Sequence, residues 1–331
     1  MENKQISYTA ASAVPMKILL DRGLVGTMID RRKIFPRHIQ LNPTNKCTQK
    51  CFFCSCSKRD QTAQLSYIEI MNIMSQAKKF GCRALTITGG GDPLCHPRIN
   101  DMIKGIWDMG IEIGLVTNAD LIYRLKKKSL NKLTWMRISL GDGRKVTQSY
   151  WNLFENAVKL GNEVDFSFSY VVTEKPDFKL IEKMVRFANK FNFVHIRLVN
   201  NIFNADKLYN AMPSVKKYLK EKKIDDKLVI YQDRGHWTKG TKNCLISLLK
   251  PVIGADGYWY ACCGSQYALK KPAMDYDPAT KISKKKGVNG LIDIYKNQKP
   301  FDGRICWKCY YKNYNDVLGA LLSDIKHEVF I

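Results

Sequence analysis

The chain has 331 residues, 45% of them hydrophobic, enough for a large core and for one or two domains. Lys+Arg 54 against Asp+Glu 30 leaves +24, which points to a polyanionic partner such as nucleic acid, with a merely basic surface as the alternative. No apolar run is long enough to span a bilayer and no signal-peptide pattern opens the chain, so no membrane partner and a cytoplasmic location are expected.

In chain order, residues 1–37 read as a basic lead-in containing Arg31-Arg32-Lys33. From 38 to about 200, strands alternate with amphipathic helices. Strands are predicted at 38–42, 84–88, 111–117, 135–140, 164–172 and 194–199. Helical spacing appears in Ile68, Met71, Ile73, Met74 and Ala77, and again in Leu180, Ile181, Met184, Val185 and Ala188. Short connections in such an alternation imply parallel strands with right-handed crossovers, an α/β class. Residues 201–243 are more polar, with a lysine-rich helix expected around 215–227. A second unit follows. It has a hairpin over 250–262 turning at Asp256-Gly257, a lysine-rich loop at 281–287 read as solvated, and an amphipathic helix near 315–327.

Three cysteines, Cys47, Cys51 and Cys54, stand in a C-x3-C-x2-C run just after the first strand. Three thiolates this close can hold one face of an iron–sulfur cluster and leave one iron without a protein ligand. Zinc, the alternative, needs a fourth ligand, and Cys56 is the nearest spare thiol. Eleven cysteines without an export signal favour metal ligation in a reducing compartment over disulfides. Gly89-Gly90-Gly91-Asp92-Pro93 ends the second strand, where glycines permit close backbone approach or positive φ. Thr117-Asn118-Ala119 ends the third strand and Ser139-Leu140-Gly141-Asp142-Gly143 the fourth, at the carboxyl edge where such sheets bind ligands.

Together these motifs resemble the radical S-adenosylmethionine (SAM) superfamily, over nearly the whole chain from residue 38. The resemblance implies a partial (β/α)6 barrel over 38–225. It implies a 4Fe–4S cluster on the catalytic Cys47, Cys51 and Cys54, whose open iron chelates SAM. Reductive cleavage of SAM would then give a 5′-deoxyadenosyl radical that abstracts a substrate hydrogen. Gly90, Gly91 and Asp92 match the family's Gly-Gly-Glu-Pro motif, with Asp in place of Glu. Phe53, Thr117, Asn118 and Ser139 become candidate SAM contacts. Ser167, Ser169 and Arg197 could face the same cavity or point outward.

Cys244, Cys262, Cys306 and Cys309, with four residues between Gly257 and Cys262, resemble the twitch-type, SPASM-related auxiliary domain, here spanning 226–331. That resemblance implies one auxiliary 4Fe–4S cluster with four protein ligands. Zinc also suits four thiolates, and Cys263 could replace Cys262. An external electron donor such as flavodoxin or ferredoxin is implied. The expected substrate is a nucleic-acid base or its appended group, on the evidence of the charge. A peptide maturase or a small-alcohol dehydrogenase is the alternative, and a non-catalytic iron–sulfur protein a third. Cys56, Cys82 and Cys95 read as buried free thiols, His96 and His195 as core or edge histidines. The aromatics crowded around the second cysteine set read mostly as packing.

Overall fold

The computed structural model describes residues 15–203, 211–232 and 237–324. Seven parallel strands run in sequence order: β1 His38–Leu41, β2 Ala84–Ile87, β3 Glu112–Thr117, β4 Trp135–Gly141, β5 Asp165–Val172, β6 His195–Asn200 and β7 Val229–Gln232. The first six are those expected. β7 is an addition to the expected six. Its four residues are too few to show a period within a polar stretch. The helix before it spans Ala211–Glu221, somewhat earlier than expected. The hairpin forms as β8 Val252–Ile253 and β9 Trp259–Tyr260, with Gly257 at φ +81° in its turn. It joins the main sheet: Gln40 pairs with Val252 and Leu41 with Ile253, in parallel. The order β7-β6-β5-β4-β3-β2-β1-β8-β9 does not close on itself, so the sheet is an open barrel wall, with an isolated bridge from Lys281 to Tyr260 along its β9 edge.

Helices cover the convex face. Helix α1 (Met16–Leu19) and α2 (Arg22–Arg31) precede the sheet. Between β1 and β2 lies α3 (Tyr67–Lys79), started by a reciprocal cap in which Glu69 N donates to Ser66 Oγ at 3.2 Å and Ser66 N to Glu69 Oε2 at 2.8 Å. It buries Ile70, Ile73, Met74 and Ala77, three or four residues apart. Helices α4 (Ile99–Asp108), α5 (Lys127–Leu130), α6 (Gln148–Leu160) and α7 (Phe178–Lys190) repeat the pattern along the sheet. Phe154 of α6 and Phe187 of α7 stack at 5.2 Å and meet Phe168 of β5 at 5.6 and 6.1 Å. The even-numbered residues of β4–β6 thus face helices. Arg137, Ser139, Ser167, Ser169, His195 and Arg197 take the opposite, concave face.

The chain's two ends close over α3. Helix α10 (Gly287–Asn297) packs on it, and Gln298 bonds both the N and O of Ile34 at 3.0 Å. Helix α9 (Ile246–Leu249) supplies the Leu248 carbonyl that accepts from Tyr295 Oη at 2.6 Å. The last helix, α11 (Lys312–Leu321), is shorter than expected, and residues 325–327 of that expectation lie outside the described residues. Among the described residues no helix is long and apolar enough to cross a membrane.

His195 is 5% exposed, and burial, then Arg137, Arg197 and Lys17, push its imidazole down to about 3. The unfolded chain takes up this proton near pH 6.5, the fold only near 3. The stability is whole above 6.5 and is lost as pH falls, by about 2 kcal/mol at pH 5. Thermal unfolding at pH 7 and pH 5 checks this. His195→Gln should lose that part of the acid sensitivity, and an undiminished pH dependence would contradict it.

Candidate functional site

The loop after β1 carries Cys47, Cys51 and Cys54, all partly exposed. Burial raises the Cys47 and Cys51 thiols, and the neighbouring thiols of the set push them further. Thiols whose ionisation is opposed in this way, as at Cys47 and Cys51, are a poor resting arrangement. A cationic centre would remove that penalty. Arg59, 9% exposed, holds the loop. Its Nε donates to Asn45 O at 2.9 Å, and its Nη1 to Cys56 O at 2.5 Å and to Cys54 Sγ at 3.4 Å. The tip of the Phe53 ring abuts the end of β4: a Cβ on Gly141 would stand 2.2 Å from its Cζ.

The glycine run is needed for close approach. None of Gly89, Gly90 and Gly91 has positive φ, which corrects half of the expectation. A Cβ on Gly90 would meet Asn45 Oδ1 at 2.2 Å, and one on Gly91 would meet Lys46 O at 2.0 Å. The turn is pressed against the cysteine loop, with Asp92 N donating to Lys46 O at 2.7 Å.

Asp92, 4% exposed, fastens the third strand to this turn. Its carboxylate accepts from Thr117 Oγ1 at 2.8 Å, Asn118 N at 2.6 Å and Leu94 N at 2.8 Å. Burial raises its pKa, and these donors oppose the rise. The Thr117 hydroxyl is turned inward to Asp92 and also accepts from Ala119 N at 3.0 Å. Asn118 points the other way, its Nδ2 3.0 Å from Thr48 Oγ1 and 3.7 Å from Cys47 Sγ. Ala119 stands at φ +63°, a left-handed corner of the kind glycine takes without strain. Behind it, Asp120 binds Thr48, Gln49 and the buried Arg144. Arg144 donates to Asn118 O at 2.8 Å and Ser139 O at 3.2 Å. Arg59, Asp120 and Arg144 carried no motif signal in the sequence. Asp92→Asn should cost about 3 kcal/mol, because an amide cannot accept from all these buried donors. Chemical denaturation measures this, and a loss under about 1 kcal/mol would contradict it.

The second cysteine set gathers from three segments. Cys244, Cys262, Cys306 and Cys309 line one pocket with Gly240, Ala261, Tyr267 and Phe301, whereas Cys263 does not line it. Backbone bonds knit the segments: Cys244 N to Phe301 O at 2.9 Å, Gly240 N to Cys306 O at 3.0 Å, and Cys309 N to Thr238 O at 2.9 Å. Amides face two of the sulfurs, Gly264 N at 3.2 Å from Cys262 Sγ and Tyr311 N at 3.3 Å from Cys309 Sγ. Burial, then the neighbouring thiols, raises Cys244 to about 12 and Cys306 to about 11. Cys263 Sγ instead sits 3.5 Å from Tyr311 Oη. Among the described residues, no three His, Cys, Asp or Glu side chains converge on a point as ligands of a single ion would. A four-iron cluster takes its thiolates on a wider tetrahedron. The all-sulfur donor set suits it.

Between the two cysteine sets lies Tyr276, 7% exposed, accepting from Gln40 Nε2 at 3.0 Å and Gln266 Nε2 at 2.8 Å. Ser55, next to Cys54, bonds Gln266. The second unit is thus tied into the barrel. A cleft of about 720 Å³ opens at the carboxyl ends of β4–β6, lined among others by Phe52, Asp142, Lys175, Asn201 and Met274. Of the remaining residues, Cys56 and Cys82 are buried, and Cys95 is half-buried with its thiol raised to about 11 by burial, then Asp92 and Cys47. His96 is a satisfied core histidine, its Nε2 2.9 Å from Leu65 O. Trp259, Tyr260, Tyr267, Tyr311 and Tyr314 are core, whereas Trp307 is 46% exposed.

A model of the Radical SAM superfamily matches residues 41–188. The chain is 23% identical over 244 residues to a probable GTP 3′,8-cyclase of Sulfurisphaera tokodaii, covering 68% of this chain and 76% of that protein. It is 24% identical over 200 residues to a tungsten-containing aldehyde ferredoxin oxidoreductase cofactor-modifying protein of Pyrococcus furiosus, covering 58% of this chain and 51% of that one. Streptococcus suis SuiB, in a crystal structure bound to S-adenosylmethionine, shares the fold at TM-score 0.55 and 18% identity, over 80% of this chain and 72% of that chain. The matched segment, just under half of the chain, contains the three-cysteine loop, the glycine turn and the strand ends built above, and over these residues the chain is similar to enzymes of the radical SAM superfamily.

Proposed function

We propose that Cys47, Cys51 and Cys54 hold a 4Fe–4S cluster with one open iron, that SAM binds over it, and that the enzyme abstracts a hydrogen from a substrate in the adjoining cleft. One observation carries this reading: the three-thiol loop, the Gly90-Gly91 turn and the Asn118 corner are bonded into one surface around Cys47. When bound, the cluster would pass one electron from an external donor such as ferredoxin or flavodoxin to SAM, breaking its C5′–S bond into methionine and a 5′-deoxyadenosyl radical. The chain's own residues do the positioning. Gly90 and Gly91 let their turn close tightly on Asn45 and Lys46 of the cysteine loop. Phe53, seated on Gly141, offers a ring face for adenine. Asn118 and Ser139 are placed for polar contacts with SAM, while Asp92 and Thr117 hold Asn118 in position. Phe52 and Met274 give the cleft apolar flanks. Cys244, Cys262, Cys306 and Cys309 hold a second cluster in a twitch-like unit. Thiol ligands of this kind suit the reducing cytoplasm.

The cleft is of the size that takes a small molecule or one residue of a polymer. The relatives' names cite unlike targets, a nucleotide and a cofactor, so the reading goes no further than such a substrate. Electron paramagnetic resonance of the reduced, reconstituted protein tests it. Adding SAM should shift one of two cluster signals and leave the other. If neither moved, the open-iron assignment would fail.

Nucleic acid remains a second reading, favoured by cation–aromatic pairs at the surface of the second unit, around the exposed Trp307 and the half-buried Tyr258. Lys239 and Lys270 stand 4.8 and 5.0 Å from the Trp307 ring, and Lys281 and Lys286 stand 3.4 and 4.7 Å from that of Tyr258. Titration with duplex DNA, single-stranded DNA and tRNA across salt concentrations separates the readings. Tight binding to one of them that survives near-physiological salt supports it. Weak, equal binding that vanishes with salt removes it.

A further inference from the structure

Two side chains in the pocket of the second cysteine set have no part in holding its four thiols. Ser265 is 2% exposed and Asn315 5% exposed, and both line the pocket with Cys244, Cys262, Cys306 and Cys309. The Ser265 hydroxyl and the Asn315 Nδ2 have no hydrogen-bond partner among the described residues. Buried donors left in this way are costly, and native folds carry few of them. Both residues are fixed in place by other bonds. Ser265 stands on the short 3-10 helix Cys263–Gln266 that starts right after Cys262. Its N donates to Cys262 O at 3.1 Å, and its O accepts from Asp277 N at 3.2 Å. Asn315 stands on α11, and its Oδ1 accepts from Ile246 N at 3.0 Å. A backbone N–H can bond only the oxygen end of a side-chain amide, so this bond sets the orientation and leaves the donor end over. That end lies toward Cys244, two residues before Ile246: Asn315 favours the ionised form of this thiol. Two backbone amides join them around the sulfurs, Gly264 N at 3.2 Å from Cys262 Sγ and Tyr311 N at 3.3 Å from Cys309 Sγ.

We infer that Ser265 and Asn315 donate hydrogen bonds to the sulfurs of the second cluster and so set its reduction potential. This deepens the proposed function and rests on it. A zinc ion held by the same four thiolates brings no acceptor of its own. A four-iron cluster brings bridging sulfides, which lie between the cysteine ligands and face side chains that are not ligands. The two spare donors therefore fit the cluster and not the lone ion. Reduction by one electron adds negative charge to the sulfurs. Burial opposes that charge, and a donor aimed at the sulfurs offsets the cost. Each donor thus favours the reduced form and raises the potential.

The test is a redox titration of the anaerobically reconstituted enzyme followed by electron paramagnetic resonance, reading the cluster signal that SAM leaves in place. Ser265→Ala should make the one-electron reduction about tenfold less favourable, a midpoint about 59 mV lower. Asn315→Ala should lower it by a similar amount. Neither should move the midpoint of the signal that SAM shifts. Ser265→Thr keeps the hydroxyl and should keep the wild-type midpoint. Ser323→Ala, which removes an exposed hydroxyl just past α11, should move neither signal. Iron content and circular dichroism show whether each variant is loaded and folded. Asn315→Ala also loses the bond to Ile246 N. Should it fail to load, Ser265→Ala decides the matter, since that hydroxyl has no other bond to lose among the described residues. An unmoved midpoint in loaded Ser265→Ala would overturn the inference, as would an equal fall in the signal that SAM shifts. A wild-type chain with about four irons and the SAM-sensitive signal alone, or with zinc in the second set, overturns the reading beneath it instead.

Discussion

Cys51→Ala is expected to abolish SAM cleavage while the chain keeps about half its iron. Cys51 stands in the middle of the three-thiol loop, and burial, then Cys54 and Cys47, raises its pKa. With two thiolates left, the loop cannot hold one face of a cluster. Iron should fall from about eight to about four atoms per chain, because the second set shares no ligand with the first. The Arg59 bonds to Asn45 O and Cys56 O do not involve Cys51, so the loop should stay folded. Reconstitution, iron analysis and 5′-deoxyadenosine measurement on one sample decide the matter. Loss of all the iron would mean that the fold, and not one site, had failed. Normal SAM cleavage would remove the three-cysteine loop from the chemistry.

Cys306→Ala should do the reverse to the iron and more to the fold. It should leave about four irons on the first site, and the thermal midpoint should fall by roughly 10 °C. The reason lies in the pocket's construction. Its thiols come from residues 244, 262 and 306–309, segments otherwise joined by a few backbone bonds such as Gly240 N to Cys306 O. A group bound to all four crosslinks them, and its binding energy becomes folding energy. Cys263→Ala is the matched control. That thiol faces Tyr311 Oη and lies outside the pocket lining, so both iron sets should persist. If Cys263→Ala emptied the second site and Cys262→Ala did not, the fourth ligand would have to be reassigned.

Much of the fold was legible because its signals are local. Six strands and the helices at 67–79 and 178–190 followed from apolar spacing alone, and the 256–257 turn from its Asp-Gly pair. β7 was not legible: its four residues are read as strand only because β6 pairs with them. Nor did the hairpin announce that it would extend the barrel wall, since the β1–β8 pairing spans more than two hundred residues. In the site, the cysteines and glycines stood out because the chemistry needs them at fixed spacing. The residues that hold them did not. Arg59, Asp120 and Arg144 are ordinary charges until tertiary contacts pair them. Ala119 hid a left-handed corner behind a residue that seldom adopts one. The net charge of +24 was visible, but its placement was not: Arg137 and Arg197 lie on the concave side of β4 and β6 and not on the outer surface.

The most direct single measurement is turnover of the anaerobically reconstituted enzyme with dithionite and SAM, with 5′-deoxyadenosine and methionine both quantified. Equal amounts of the two, absent without reductant and absent in Cys51→Ala, are predicted. Intact SAM after prolonged reduction, in protein carrying both iron sets, would contradict the assignment of Cys47, Cys51 and Cys54 as the site of SAM cleavage.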